Sequence, residues 1–308
     1  MLYNKYGCFK ITDKINTVMI TTIQNDHLRI AIQAHGAELD SIYHKQHQLE
    51  YLWSGDSAFW GKKSPVLFPI VGTMKDNTYT FNGEKYSLSR HGFARDRVFE
   101  LESKTADSAV FLLKSDAGSL KNYPFHFEFR LHYALKINEL CVTYDVKNMS
   151  DEPMYFSVGG HPAFKVPLVE GTTYEDYFIQ LNTTETFGRY PLSKEGLIET
   201  IPNPFLNNSN NFPLKHSLFY EDAIVLKHIK SNSMVIFSDK TPHGLRMTFD
   251  GFPYFGIWAA KNAPFVCLEP WCGIVDAVNA TQELTEKEGI NQLAIGEWFE
   301  RTWILEVF

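Results

Sequence analysis

From Phe127 to Val146 the chain alternates between apolar and polar positions with a period of two. Phe127, Phe129, Leu131, Tyr133 and Leu135 are separated by Glu128, Arg130, His132 and Ala134; Leu140, Val142, Tyr144 and Val146 are separated by Cys141, Thr143 and Asp145. Successive side chains of a strand point to opposite faces, so each run predicts a strand with one buried face. The short connection from Lys136 to Glu139, with Asn138 in it, predicts a hairpin. A second hairpin is predicted at Asn82-Gly83, between Tyr79-Thr80-Phe81 and Glu84-Lys85-Tyr86, because a type I′ turn needs positive φ at both central residues. Similar runs predict strands at Leu28–Ile32, Ala223–Ile229, Met234–Phe237, Leu245–Phe249 and Trp303–Phe308.

Helical periodicity is confined to a turn or two near Ser57–Trp60 and Thr281–Glu288. Pro202-Asn203-Pro204 and Asn207-Asn208-Ser209-Asn210-Asn211 read as a long surface loop, with strand patterns on both sides. Many short strands joined by loops predict an all-β protein, a large antiparallel β-sandwich with a cleft on one face. Regular patterning starts after Met19. Residues 1–18 are therefore expected to be an extension outside the core, and 19–308 one domain, since all-β units often run past 200 residues.

Aromatic residues make up 15% of the chain, which suits strands and sugar-stacking clefts. The formal charge of −7, without a dense basic run, argues against a nucleic-acid partner. Lys5, Lys10, Asp13 and Lys14 interrupt any apolar stretch near the start, and no run approaches the ~20 apolar residues of a membrane span. The four cysteines, at 8, 141, 267 and 272, form no C-x-x-C pair and read as free thiols of a reducing compartment. A cytoplasmic location and no membrane partner are the expectation. No HExxH, phosphate loop or EF-hand pattern is present, so neither metal nor cofactor is expected.

Three segments set one titratable group each among glycine, proline and aromatic residues: Ser89-Arg90-His91-Gly92-Phe93-Ala94-Arg95, Gly159-Gly160-His161-Pro162-Ala163-Phe164 and Cys267-Leu268-Glu269-Pro270-Trp271. Pro162 and Pro270 bias their predecessors toward extended backbone, so His161 and Glu269 are presented from fixed strand ends or strands. Glu269 should share a strand face with Cys267 while Leu268 faces the other way. A carboxylate in so apolar a run needs a partner or a purpose. An ion pair with Arg95 or Arg246 would be the structural explanation. If buried and unpaired, its pKa would rise toward that of a useful base at neutral pH. Two imidazoles and a carboxylate that converge supply an acid and a base near neutrality.

Taken together, Phe68-Pro69-Ile70-Val71-Gly72, His91-Gly92-Phe93-Ala94-Arg95, Gly160-His161-Pro162, Ile257-Trp258 and Cys267-Leu268-Glu269-Pro270-Trp271 resemble the aldose 1-epimerase (galactose mutarotase) family in its LacX-like branch, from about Met19 to the C-terminus. The resemblance implies a β-supersandwich with an open sugar cleft, a small hexose as substrate, and metal-free catalysis. It implies His161 as general acid, Glu269 as general base, His91 as a second histidine near the ring oxygen and Asp222 as a hydroxyl acceptor. Arg95 is included among the sugar-binding residues, and Trp258 and Phe164 would offer apolar faces. Where the family commonly places an arginine after Phe-Pro-Ile-Val-Gly, this chain has Thr73, with Lys75 two residues on. If Lys75 substitutes, it brings a point charge in place of a planar fork.

Three readings of function stay open: an aldose 1-epimerase of free hexoses, a hexose-6-phosphate epimerase with Lys62, Lys63, Arg95 and Arg97 supplying charge, and a sugar-binding protein without turnover.

Overall fold

The computed structural model describes residues 19–308. Residues 1–18, read above as an extension, lie outside the described residues.

The named strands pair antiparallel, and their largest sheet has nine of them. Its order is Asn203–Pro213, Tyr177–Arg189, Ser233–Ser238, Thr241–Thr248, Trp298–Val307, Glu139–Asn148, Phe127–Lys136, Ser108–Lys114 and Glu100–Lys104. The Phe127 hairpin lies at its centre, with Lys136 opposite Glu139 and Phe127 opposite Asn148. Its apolar face is buried residue for residue, as the period of two requires. The Asn82-Gly83 turn joins Thr78–Phe81 to Glu84–Ser87 with φ of 51° and 80°, as a type I′ turn demands.

A second sheet runs Ile224–Lys227, Tyr254–Trp258, Phe265–Cys272, Val158–Gly160 and Val66–Leu67, with Ala163–Lys165 also pairing to Phe265–Cys272. A four-stranded sheet holds Ile20–Gln24, Leu28–Gln33, Leu39–His44 and Leu49–Glu50. Phe129, Tyr144 and Trp303 from the large sheet and Ile257, Phe265 and Val266 from the second share one core, which makes the architecture a β-sandwich. Trp303 Nε1 donates to the Tyr144 hydroxyl at 2.8 Å, so the polar atoms that enter this core satisfy each other.

One local expectation changes. The asparagine-rich stretch is not a loop: Asn203–Pro213 is the edge strand of the nine-stranded sheet, paired to Tyr177–Arg189 with several register shifts. Its asparagines lie on an exposed edge, where polar side chains block further pairing. The two helical patterns are single turns, within the turn or two expected of them. Trp60 N–H donates to Asp56 O at 2.9 Å, and Leu284–Glu286 is one turn of 3₁₀ helix.

Candidate active site

Strand Phe265–Cys272 is buried along its whole length, and the chemistry is built on it. Val158–Gly160 and Ala163–Lys165 both pair with it, through Gly159 opposite Trp271 and Ala163 opposite Cys267. Between those pairs the ladder is interrupted at His161-Pro162, because proline has no N–H to give. Register is nevertheless kept, with Leu268 N–H donating to Pro162 O at 3.2 Å. His161 therefore falls across from Glu269. Its Nε2 is 3.3 Å from Glu269 Oε2, and the two side chains are 10% and 2% exposed.

Trp271, two residues on, lies across both neighbouring strands. A Cβ on Gly159 would come within 2.7 Å of its ring, and one on Gly256 within 2.4 Å. Those two glycines let the indole lie flat as part of the cleft wall.

His91 is brought in by a different device. His91 and Gly92 both take positive φ, 68° and 71°, and Phe93 and Ala94 N–H donate to Phe68 O behind them. A Cβ at Gly92 would sit 2.3 Å from that carbonyl. His91 N–H donates to Gly72 O, and Gly72 N–H donates back to His91 Nδ1 at 3.1 Å. With Nδ1 accepting, the neutral ring carries its proton on Nε2 as a fixed donor. The rings of His91 and His161 are 5.7 Å apart, edge to face. Trp60 lies 4.8 Å from His161, and Trp258 5.6 Å from it.

These residues line a cleft of about 650 Å³, together with Arg90, Arg95, Lys194, Tyr220 and Asp222. Asp222 has φ of 89° and accepts the N–H of the next residue, Ala223, on Oδ1, which leaves the other oxygen free of that bond. The volume is within the range of small-molecule sites, about 300–1,000 Å³.

Electrostatically the pair is dominated by dehydration. Burial pushes the Glu269 carboxyl well above the usual carboxylate range; Arg90 opposes the shift and Asp222 adds to it. Trp271 also draws it down slightly, although its indole N–H does not reach hydrogen-bonding geometry. Burial likewise pushes His161 down to about 3, helped by Arg90 and Arg95, and holds His91 well below its ordinary value. The neutral form of the pair, carboxyl beside imidazole, is the one a dry pocket favours.

Of the residues expected from sequence, His91, His161, Glu269, Asp222, Arg95 and Trp258 converge on the cleft, and two do not. Phe164 is fully buried in the core, on a strand whose alternation places its side chain away from the cleft. Lys75 lines a separate hollow with Asp76 and Asn77, and its N–H donates to Asp276. Neither Arg95 nor Arg246 pairs with Glu269: Arg95 contacts Asp96 at 3.6 Å and Arg246 is bound to Glu306. Lys62, Lys63 and Arg97 are held by Glu38 and Asp96, by Asp40 and by Asp116. Only Arg95 of that proposed set lines the cleft.

Sequence reasoning missed two cations of the cleft, Lys194 and Arg90. Arg90 lies beside the catalytic candidates. It enters none of the ion pairs among the described residues. The Cβ position of Gly196 lies 3.3 Å from Thr73 Oγ1 and 3.6 Å from Arg90 Nη1, so this guanidinium flanks the same backbone as Thr73. Its signal was its place beside His91 in the Ser89–Arg95 motif. Trp60, also missed, follows a single turn and carries no motif.

Beside Val275 of the cleft lies a buried ion pair. Lys287 Nζ donates to Asp276 Oδ1, both side chains 3% exposed; the Lys75 N–H donates to Asp276 Oδ2, and the Asp276 backbone pairs with Thr73 and Ile198. Replacing Lys287 by methionine leaves that carboxylate buried without its cation. A loss of about 3–5 kcal/mol is expected, read as a lower urea midpoint at unchanged m-value. A shift below about 1 kcal/mol would mean that the Lys75 N–H alone satisfies the Asp276 carboxylate.

Comparison with known proteins identifies the family and the fold. Residues 19–288 match the aldose 1-epimerase family. The plasmid-encoded protein LacX of Lactococcus lactis subsp. lactis is 35% identical over 285 residues, covering 89% of this chain and 95% of that protein. A galactose mutarotase related enzyme from Lactobacillus acidophilus superposes with a TM-score of 0.90 at 36% identity, covering 94% of this chain and 97% of that one. A galactose mutarotase-like protein from Lactobacillus casei gives 0.88 at 28%, covering 94% and 100%. With a family match over most of its length and an antiparallel sandwich that places an imidazole beside a carboxyl in an open cleft, this chain belongs to the aldose 1-epimerase family.

Proposed function

We propose that the protein interconverts the α and β anomers of a free hexose by opening and reclosing the ring. The observation that carries this reading is the buried His161 Nε2 and Glu269 Oε2 pair at 3.3 Å. A hemiacetal holds both of its oxygens on one carbon. An acid for the ring oxygen and a base for the C1 hydroxyl must therefore lie side by side, and this pair does.

In the opening step the Glu269 carboxylate takes the C1 hydroxyl proton, the C1–O1 double bond forms, and the C1–O5 bond breaks as His161 gives its proton to O5. Rotation about C1–C2 presents the other face of the aldehyde. On closure the neutral imidazole takes the O5 proton while the carboxyl returns its own to O1. The pair holds one proton throughout, first on nitrogen and then on oxygen. Burial favours the second arrangement, and Arg90, which lowers Glu269, supports the first. General acid–base catalysis of this type contributes about 10²–10⁴-fold.

His91 Nε2–H is a donor for the ring oxygen, Asp222 an acceptor for a ring hydroxyl, and the rings of Trp60 and Trp258 are apolar surfaces for the sugar's C–H faces.

A second reading, a 6-phosphorylated hexose, is favoured by the three cations Arg90, Arg95 and Lys194 in the lining. Anomer exchange followed by NMR with free and 6-phosphorylated hexoses separates the readings. Exchange accelerated on the free sugar supports the first. A free-sugar rate at background with a raised phosphosugar rate replaces it, and Arg90→Ala should then raise the phosphosugar KM by about 10-fold or more. Binding of both sugars with neither accelerated would identify a binding protein.

A further inference from the structure

The mechanism uses His161 and Glu269 and leaves a third buried group beside them. Cys267 is two residues before Glu269 on the same strand, so both project to one face, and Cys267 lies opposite Ala163, two residues on from His161. One ligand atom from each of His161, Cys267 and Glu269 lies within 4.8 Å of the other two, and all three residues are buried. Tetrahedral zinc, with bonds of about 2.0–2.3 Å, needs its donors roughly 3.4–3.7 Å apart. The His161 and Glu269 atoms are already at 3.3 Å, so only the sulfur has to close in.

We propose that His161, Cys267 and Glu269 form a binding site for a borderline-soft divalent cation, Zn²⁺ or Co²⁺, and that the ion's occupancy inhibits the reaction. The donor set of one sulfur, one imidazole nitrogen and one carboxylate oxygen selects against Mg²⁺ and Ca²⁺, which take oxygen ligands. On binding, the Cys267 thiol and the Glu269 carboxyl give their protons to solvent. Two negative ligands then neutralise the dication, which leaves no net charge in the dry strand environment. The fourth position faces the cleft and takes a water. Inhibition follows because the metal occupies the two lone pairs that move protons. The metal site goes beyond the proposed sugar chemistry and stands without it; only the inhibition rests on that reading.

The test is a Co²⁺ titration of the full chain followed by absorption, with Zn²⁺ competition. Wild type is expected to bind one Co²⁺ with a cobalt–thiolate charge-transfer band that Zn²⁺ abolishes. Cys267→Ala should lose the band and bind Zn²⁺ at least 10-fold more weakly. His161→Asn, on another strand, should also lose the band, so the outcome does not hang on one variant folding. Anomer exchange by wild type should fall on adding Zn²⁺ and return with a chelator, while Cys267→Ala should be at least 10-fold less sensitive. No cobalt bound by wild type, binding without a thiolate band, or equal zinc affinity in wild type and Cys267→Ala overturns the proposal. The band is read without sugar, so it can appear when anomer exchange fails, and the reverse.

Discussion

Glu269→Gln is expected to lower anomer exchange by about 10²–10⁴-fold while sugar binding stays within a few-fold of wild type. The amide keeps the shape and hydrogen-bonding reach of the carboxyl but cannot take the C1 proton. The same substitution should make the folded protein more stable at neutral pH. Burial raises the Glu269 pKa above its unfolded value, so between those two values the native state holds a proton that the unfolded chain has released. Stability contributed by this group therefore falls as pH rises through that window. Glutamine removes the penalty. Urea midpoints of the two proteins at pH 5 and pH 8 should diverge toward the higher pH, with the variant ahead. Turnover by Glu269→Gln within a few-fold of wild type would take the base role from this residue. Equal midpoints at both pH values would mean that Glu269 is ionised and well compensated in the native state.

His161→Asn should lower turnover by at least about 10²-fold with a modest loss of sugar affinity, and the wild-type pH profile should carry the reason. His161 is held down to about 3 and Glu269 is pushed above its ordinary range, so the pair keeps a single proton across a wide interval. Acidification adds a second proton to the imidazole and leaves no base. Alkaline conditions remove the shared proton and leave no acid. The profile of kcat/KM should thus be a broad bell whose acid limb falls toward pH 3, well below the ordinary histidine value of about 6.5. Both limbs belong to the coupled pair. An acid limb near 6.5 would show a hydrated, ordinarily titrating histidine and would remove the dry pair as the catalytic unit. Near-wild-type turnover in His161→Asn would remove His161 from the acid role.

The sequence was most legible where a rule is local. The Phe127 hairpin and the Asn82-Gly83 turn follow from a period of two and from a φ requirement, and both are in the structure. That His91, His161 and Glu269 meet in one cleft was legible through their motifs, and for His161 and Glu269 through the prolines that fix their backbones. What stayed hidden depends on partners distant in sequence. Phe164 and Trp258 are both aromatics on strands, and only the packing of the second sheet decides that the first faces the core and the second the cleft. Arg90 could not be told from a surface arginine, because its significance is that no carboxylate comes to meet it. Asn203–Pro213 looked like a loop since asparagine is a turn former, yet Tyr177–Arg189 supplies a backbone partner that overrides the composition. Lys75 sat at a suggestive spacing, but the hydrogen bond from its own N–H to Asp276 fixes that backbone at a different hollow.

The opposition of His161 and Glu269 is a matter of strand register, bracketed by Gly159 with Trp271 and Ala163 with Cys267. Proton donor and acceptor are thus assembled when the sheet folds and do not wait for a ligand to gather them. On the proposed reaction, either anomer would therefore meet the same pair already in place, as an equilibrium run in both directions requires.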